Sequence, residues 1–163
     1  MFSAHDPSDI ERFFRGITEF AFHARLGVVD PPLVDYVSVL LVRFLRNEPA
    51  VVTPAGVPDT AMVSRLFVEA AGQPHADEAR EEYRHIGDMT LFWSGLYPEA
   101  LRREGRLDRL AAYRDTGKRA YRLAATLEPA DAAAERLLLV RLADEYDLCV
   151  DGLAEVRRIW GEE

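Results

Sequence analysis

REEYRHIGDMTLFWSGLYPE, residues 80–99, decides how this chain is read. It opens on charge, closes on aromatic residues, and carries Gly87 and Asp88 at its centre, with no proline before Pro98. The spacing predicts a helix from about His75 to Ser94, ended by Gly95 and Pro98, with a short turn of helix following through Leu101. Phe92, Trp93, Leu96 and Tyr97 cluster at its end; they are read as core packing first, and as the lining of a ligand pocket or partner groove second. A glycine inside a helix costs about 1 kcal/mol relative to alanine. Gly87 therefore needs a reason.

A second phrase supplies one. Tyr83-Arg84-His85-Ile86-Gly87 and Tyr113-Arg114-Asp115-Thr116-Gly117 share the pattern Tyr-Arg-x-x-Gly, each inside a predicted helix. The later helix, about Leu107 to Leu127, carries Leu110, Tyr113, Gly117, Ala120, Ala124 and Leu127 on one stripe, half of them glycine or alanine. A stripe of small residues admits a close neighbour. The two helices are expected to pack antiparallel, with Gly87, Gly117, Tyr83 and Tyr113 at their crossing. Asp88 and Lys118 are expected to pair beside it, and the polar neighbours of Gly87 to be bystanders.

Outward from this pair, the punctuation predicts helices almost throughout. Pro7, with a capping-box pattern at Ser8–Glu11, opens a first helix to about Leu26, stopped by Gly27. Asp30-Pro31-Pro32 opens a second, to about Arg46, apolar on most sides. Residues 48–58 hold three prolines and a glycine and read as a loop. A third helix runs from Asp59 to Ala71 and stops at Gly72. After Pro129, the residues Leu139, Leu142, Tyr146, Cys149, Leu153, Val156 and Trp160 alternate steps of three and four. That regularity predicts one long C-terminal helix, about 129–160, continuous through Gly152. The fold class is all-α: one domain, residues 1–163, built as a bundle of about six helices.

Composition excludes several classes. The chain has 163 residues, 48% of them hydrophobic and 29% charged, which suits a folded domain with a sizeable core. A net charge of −8 argues against nucleic acid or an anionic membrane as a general partner. The most apolar run, Tyr36 to Val42, lies between Asp35 and Arg43 and is far short of the ~20 residues a bilayer span needs. The first residues reach Asp6, Asp9 and Glu11 before any long apolar run, unlike a secretory leader. With Cys149 as the single cysteine, a reducing cytoplasm is the expected setting, and nineteen arginines against one lysine suggest a bacterial source.

The chemistry-bearing residues are few. Glu82 and His85 share the Glu-x-x-His spacing with which di-iron bundles hold metal, but such bundles use two copies and this sequence has one. His85-Ile86-Gly87-Asp88 resembles the glycine–aspartate segment of the distal helix of haem oxygenases. That resemblance would imply a haem across this helix, with His5 or His23 on its other side. Met89-Thr90-Leu91-Phe92 departs from the family by lacking its further glycines. No nucleophile elbow, phosphate loop or zinc-protease motif is present, and no reaction or cofactor is assigned. Cys149 lies on the apolar stripe and reads as a structural thiol.

Residues 102–122 carry eight basic groups against three acidic ones. The plain reading pairs this helix with acids of the preceding one, Asp77, Glu78, Glu81, Glu82 and Asp88. The functional reading makes Arg102, Arg103, Arg106 and Arg109 a patch for an acidic partner.

IGDMTLFWSGLYPE followed by YRDTGKRAY resembles a group of uncharacterised small bacterial helical proteins with a Gly-Asp…Leu-Phe…Gly…Pro core. That resemblance implies a bacterial helical protein and supplies no activity. The function expected from the sequence is non-enzymatic, through protein–protein contact, with self-association along the C-terminal helix as one form of it. The alternative is a metal- or haem-binding bundle with Glu82 and His85 at the site.

Overall fold

The computed structural model describes residues 7–46, 59–102 and 107–161, all built from helices and their connections with no strand among them. Eight α-helices follow in order: α1 (Pro7–Phe20), α2 (Pro31–Arg46), α3 (Thr60–Ala71), α4 (Ala76–Leu96), α5 (Pro98–Arg102), α6 (Leu107–Thr126), α7 (Ala133–Asp144) and α8 (Tyr146–Gly161). A π-helical turn, Ala21–Arg25, extends α1. The all-α class holds. The expected count of about six does not: the short helical turn expected after Pro98 is present as a helix of its own, Pro98–Arg102, and the C-terminal stretch is two helices.

α4 is the centre. Every residue from Ile86 to Leu96 is buried, so this segment meets protein on all sides rather than on one stripe. It packs most extensively on α6, then on α8 and α3, and touches α2 and α5. The helix begins after His75, gathers Asp77 and Glu78 at its positive N-terminal end, and runs through Gly95 to Leu96. Gly95 was expected to stop it. The helix continues there because a Cβ at Gly95 would meet Leu153 Cβ at 2.5 Å; the glycine makes room for α8 and ends nothing.

The C-terminal stripe is buried as expected, but on two helices. Leu139, Leu142, Tyr146, Cys149, Leu153 and Val156 all lie in the core. Between α7 and α8, Glu145 leaves helical geometry at φ −102° and ψ 21°. The break is one residue wide, since Glu145 N–H still donates to the Arg141 carbonyl and Cys149 N–H to that of Glu145. A repeat of 3.5 residues drifts ~20° per heptad on a straight helix. The break resets that drift, and the stripe is buried on both sides of it. The predicted start at Pro129 is also too early, because residues 129–132 form a turn and α7 opens at Ala133.

α1 and α2 form a hairpin on one flank. Gly27, at φ 66°, makes the left-handed turn between them. The π-helical turn places Phe22 on α8, where its ring lies over Gly152 in the space a Cβ would need. α3 is capped as its sequence indicates: Met62 N–H donates to Asp59 Oδ1 at 2.7 Å, and Gly72 closes the other end. The predicted loop, 48–58, lies outside the described residues.

Candidate functional site

Asp88 is no bystander. It sits on the buried part of α4, 1% exposed, where an uncompensated carboxylate would be strongly unfavourable. Three side chains compensate it. Tyr36 of α2 and Tyr121 of α6 each donate a hydroxyl hydrogen bond to Oδ1 at 2.7 Å, and Arg43 Nη2 of α2 donates to Oδ2 at 2.5 Å. Burial, reinforced by the charge of Asp88, pushes both tyrosine pKa values well above the ordinary range, so the hydroxyls remain donors. For Arg43, desolvation is the largest single influence and works against the charged form, but the charge and hydrogen bond of Asp88, with Tyr36 and Tyr121, together outweigh it. One carboxylate thereby ties α4 to α2 and α6.

The expected partner of Asp88, Lys118, is elsewhere. Its ammonium pairs with Asp147 of α8 at 2.8 Å. Arg122 likewise reaches Asp144 of α7, and Arg119 stacks on Phe67 of α3. These basic residues of α6 turn toward α7, α8 and α3 rather than toward the acids of α4. The reason is rotational. The face of α6 that meets α4 is filled by buried Tyr113, Gly117, Ala120, Tyr121 and Ala124, leaving charge on its flanks.

Both glycines lie in the contact between α4 and α6. A Cβ on Gly87 would stand 2.6 Å from the Tyr121 ring, and one on Gly117 would collide with Thr90 Oγ1. The pairing of 87 with 121 and 90 with 117 runs antiparallel. Beside it, Tyr146 Oη donates to Thr90 Oγ1 at 2.9 Å, and Thr90 Oγ1 donates to the Gly87 carbonyl at 3.0 Å. Tyr113 and Tyr83 are both buried, the latter with its ring against Phe67 at 5.2 Å.

Arg43 has a second role. Its side chain is 42% exposed, and what Asp88 leaves uncovered borders a groove between α1 and α2. The groove has a volume of about 390 Å³ and is lined by Glu11, Arg15, Ser38, Val39, Val42, Arg43 and Arg46. A second hollow of about 270 Å³ continues along the same helix pair past Glu19, His23, Pro31, Val34 and Asp35, sharing Arg15 and Ser38 with the first. Val39 is half exposed on this surface. Arg15 pairs with Asp35 at 2.9 Å and Arg46 with Glu11 at 3.0 Å, both between exposed side chains.

Glu82 and His85 border a separate hollow of about 270 Å³, with Leu66, Glu69, Glu81 and Ile86. Glu82 accepts a hydrogen bond from Gln73 Nε2 at 2.7 Å, and His85 lies stacked on the Phe44 ring. Desolvation lowers the His85 pKa despite the opposing charge of Asp88. Among the described residues, no three His, Cys, Asp or Glu side chains converge as a metal site would require. Cys149 is buried in the core, its thiol pushed up to about 12 by burial. The aromatic cluster packs internally: Phe92 and Trp93 are buried with rings 5.7 Å apart, and Tyr97 lies on both. Arg103 and Arg106 of the expected acidic-partner patch, with the side chains of Arg102 and Arg109, lie outside the described residues.

Sequence reading missed Tyr36, Arg43 and Tyr121 as one site with Asp88, and missed Arg15 and Arg46 as the groove's rim. A signal was available in α2. Tyr36 and Arg43 are seven residues apart, two turns along one side of an otherwise apolar helix. A buried acid on another helix is what such a pair would serve.

No protein-family model matches this chain, and comparison with curated proteins and with solved structures finds no significant likeness.

Proposed function

We propose that this protein is a non-enzymatic binding domain that acts through protein–protein contact, and that its docking site is the groove between α1 and α2. One observation carries the reading. Arg43 is fixed from below by a buried carboxylate, itself held by two tyrosine hydroxyls, yet keeps part of its guanidinium at the edge of a partly apolar groove. A cation held in place before its partner arrives loses little freedom on binding. The other reactive groups have structural work. Asp88 and Tyr121 hold helices together, Tyr146 supports Thr90, and Cys149 is enclosed.

The C-terminal stripe has its apolar residues turned into the chain's own core, with Trp160 against Phe14 at 5.2 Å. Self-association through this helix is left with the partly exposed Trp160 end, so the groove is the stronger docking surface. No described helix is long and apolar enough to cross a membrane. A bacterial cytoplasm remains our proposed setting, supported by the buried single cysteine and by the dominance of arginine over lysine.

The test compares proteins captured from a host lysate by the wild type, by Val39→Glu in the groove, and by Val68→Glu on the exposed side of α3. A captured set lost with Val39→Glu and kept with Val68→Glu supports the groove. Identical capture by all three overturns it.

A further inference from the structure

We infer that α3 is a detachable clasp: pinned to the bundle by Phe67, it opens while the other helices stay folded, and its opening uncovers Tyr83 and Ile86 of α4. Three observations lead to it.

The first is burial. Of the twelve residues of α3 only Val63 and Ala70 are buried, against eight of sixteen in α2 and an unbroken run from Ile86 to Leu96 in α4. Leu66 and Phe67 are partly buried, and Val68 is 71% exposed. Docking strength follows the apolar area removed from water, so α3 is held less firmly than these neighbours. Isolated helices shorter than about 12–15 residues are marginal in water, so an undocked α3 also loses its own hydrogen bonds.

The second is attachment. The Phe67 ring packs edge-on against Tyr83 of α4 at 5.2 Å, and the Arg119 guanidinium of α6 lies over it at 5.0 Å. One side chain thus meets both helices on which α3 rests. Among the described residues, no ion pair or side-chain hydrogen bond runs from Thr60–Ala71 to another helix. The nearest polar tie is Gln73 Nε2 to Glu82 at 2.7 Å, beyond the end of α3. Along one edge a hollow of about 270 Å³ lies between Leu66 and Glu69 of α3 and Glu81, Glu82 and Ile86 of α4. Glu69 there faces like charge, which adds no adhesion.

The third is the independence of the remainder. The side chains that fix α4 by hydrogen bonds, Tyr36, Arg43, Tyr121 and Tyr146, come from α2, α6 and α8. None comes from α3. The glycine contacts that seat α4 likewise involve Tyr121 of α6 and Leu153 of α8. Lifting α3 therefore leaves the buried polar ties of the bundle in place. Regions with few buried contacts open locally, at a smaller free energy than the whole domain.

The experiment is native-state hydrogen exchange, read residue by residue by NMR at rising urea. Amides of Leu66–Ala71 are expected to exchange at least about a hundredfold faster than those of Met89–Phe92. Their urea dependence should be shallower, because a local opening exposes less surface than global unfolding. Val156→Ala, in the core face of α8, is expected to speed the α4 amides about tenfold and leave those of α3 unchanged, since its contacts persist in the open form. Phe67→Ala is expected to speed both sets, because its contacts are lost in local and global opening alike. Equal rates and urea slopes in α3 and α4 overturn the inference, as does a Val156→Ala effect of the same size in both helices. An α3 without protection in the wild type overturns it too, because a clasp must close as well as open. Unchanged α3 exchange in Phe67→Ala removes Phe67 as the pin. If neither variant folds, the urea series on the wild type decides alone.

Discussion

Gly117 and Thr90 share a space that holds only one side chain: a carbon added to the glycine would overlap Thr90 Oγ1 and crowd the Tyr146 hydroxyl at 2.8 Å. Both groups belong to the Tyr146–Thr90–Gly87 hydrogen-bond chain, so displacing them breaks bonds as well as packing.

Gly117→Ala should therefore destabilise the protein by about 2–3 kcal/mol, although alanine is the better helix former. Gly87→Ala should cost a similar amount, through the Tyr121 ring. Urea denaturation followed by circular dichroism measures both; stability at or above wild type in either variant refutes the packing account.

Gly16 predicts the opposite sign. It is an exposed residue inside α1, and a Cβ there meets nothing within 4 Å. Gly16→Ala should stabilise the protein by about 0.5–1 kcal/mol through helix propensity alone. The same denaturation experiment, read side by side with Gly117→Ala, separates the two kinds of helical glycine.

The contrast among Gly16, Gly87 and Gly117 also marks how far the sequence can be read. The three look alike as letters, each a glycine in a helical pattern, and only neighbours distant in sequence distinguish them. Helix starts were legible because their signals are local: Asp59 before Thr60 and Pro31 at the head of α2. The break at Glu145 was not, because it answers to where the core lies. Lys118 and Asp88 follow their glycines symmetrically, yet they part company because α6 turns its charged flank to α8. Asp88 itself was misread for want of its partners, 45 and 52 residues away in α2.

Tyr36→Phe and Tyr121→Phe should each cost about 1–2 kcal/mol, since each removes a hydrogen bond to a charged group. Both donate to the same Oδ1, so the double variant should differ from the sum of the singles. Asp88→Asn should cost about 3 kcal/mol by removing the charge that Arg43 meets. A double-mutant cycle at equilibrium tests the set; additive tyrosine effects would show that the two hydroxyls act independently.

Alkaline pH should unfold the protein through the same tyrosines. Burial raises the pKa of Tyr36, Tyr121 and Tyr146 above their ordinary 10.0, so the unfolded chain loses protons that the folded chain keeps. Their contribution is complete below pH 10 and declines as pH rises beyond it. Cys149, raised from 9.0 to about 12, adds a decline that begins near pH 9. Ultraviolet titration of tyrosinate should find these three silent until the helical circular dichroism collapses. Their ionisation at ordinary pH in a still-helical protein would contradict the burial described.

The cluster around Asp88 also restricts how α2 can seat itself. Oily surfaces slide: a helix packed by leucine and valine alone has several near-equivalent placements. Advancing α2 by one residue would swing Tyr36 and Arg43 through about 100° and strand an anion without donors. Asp88 thus acts as a latch with one position, trading adhesive strength for fidelity of assembly.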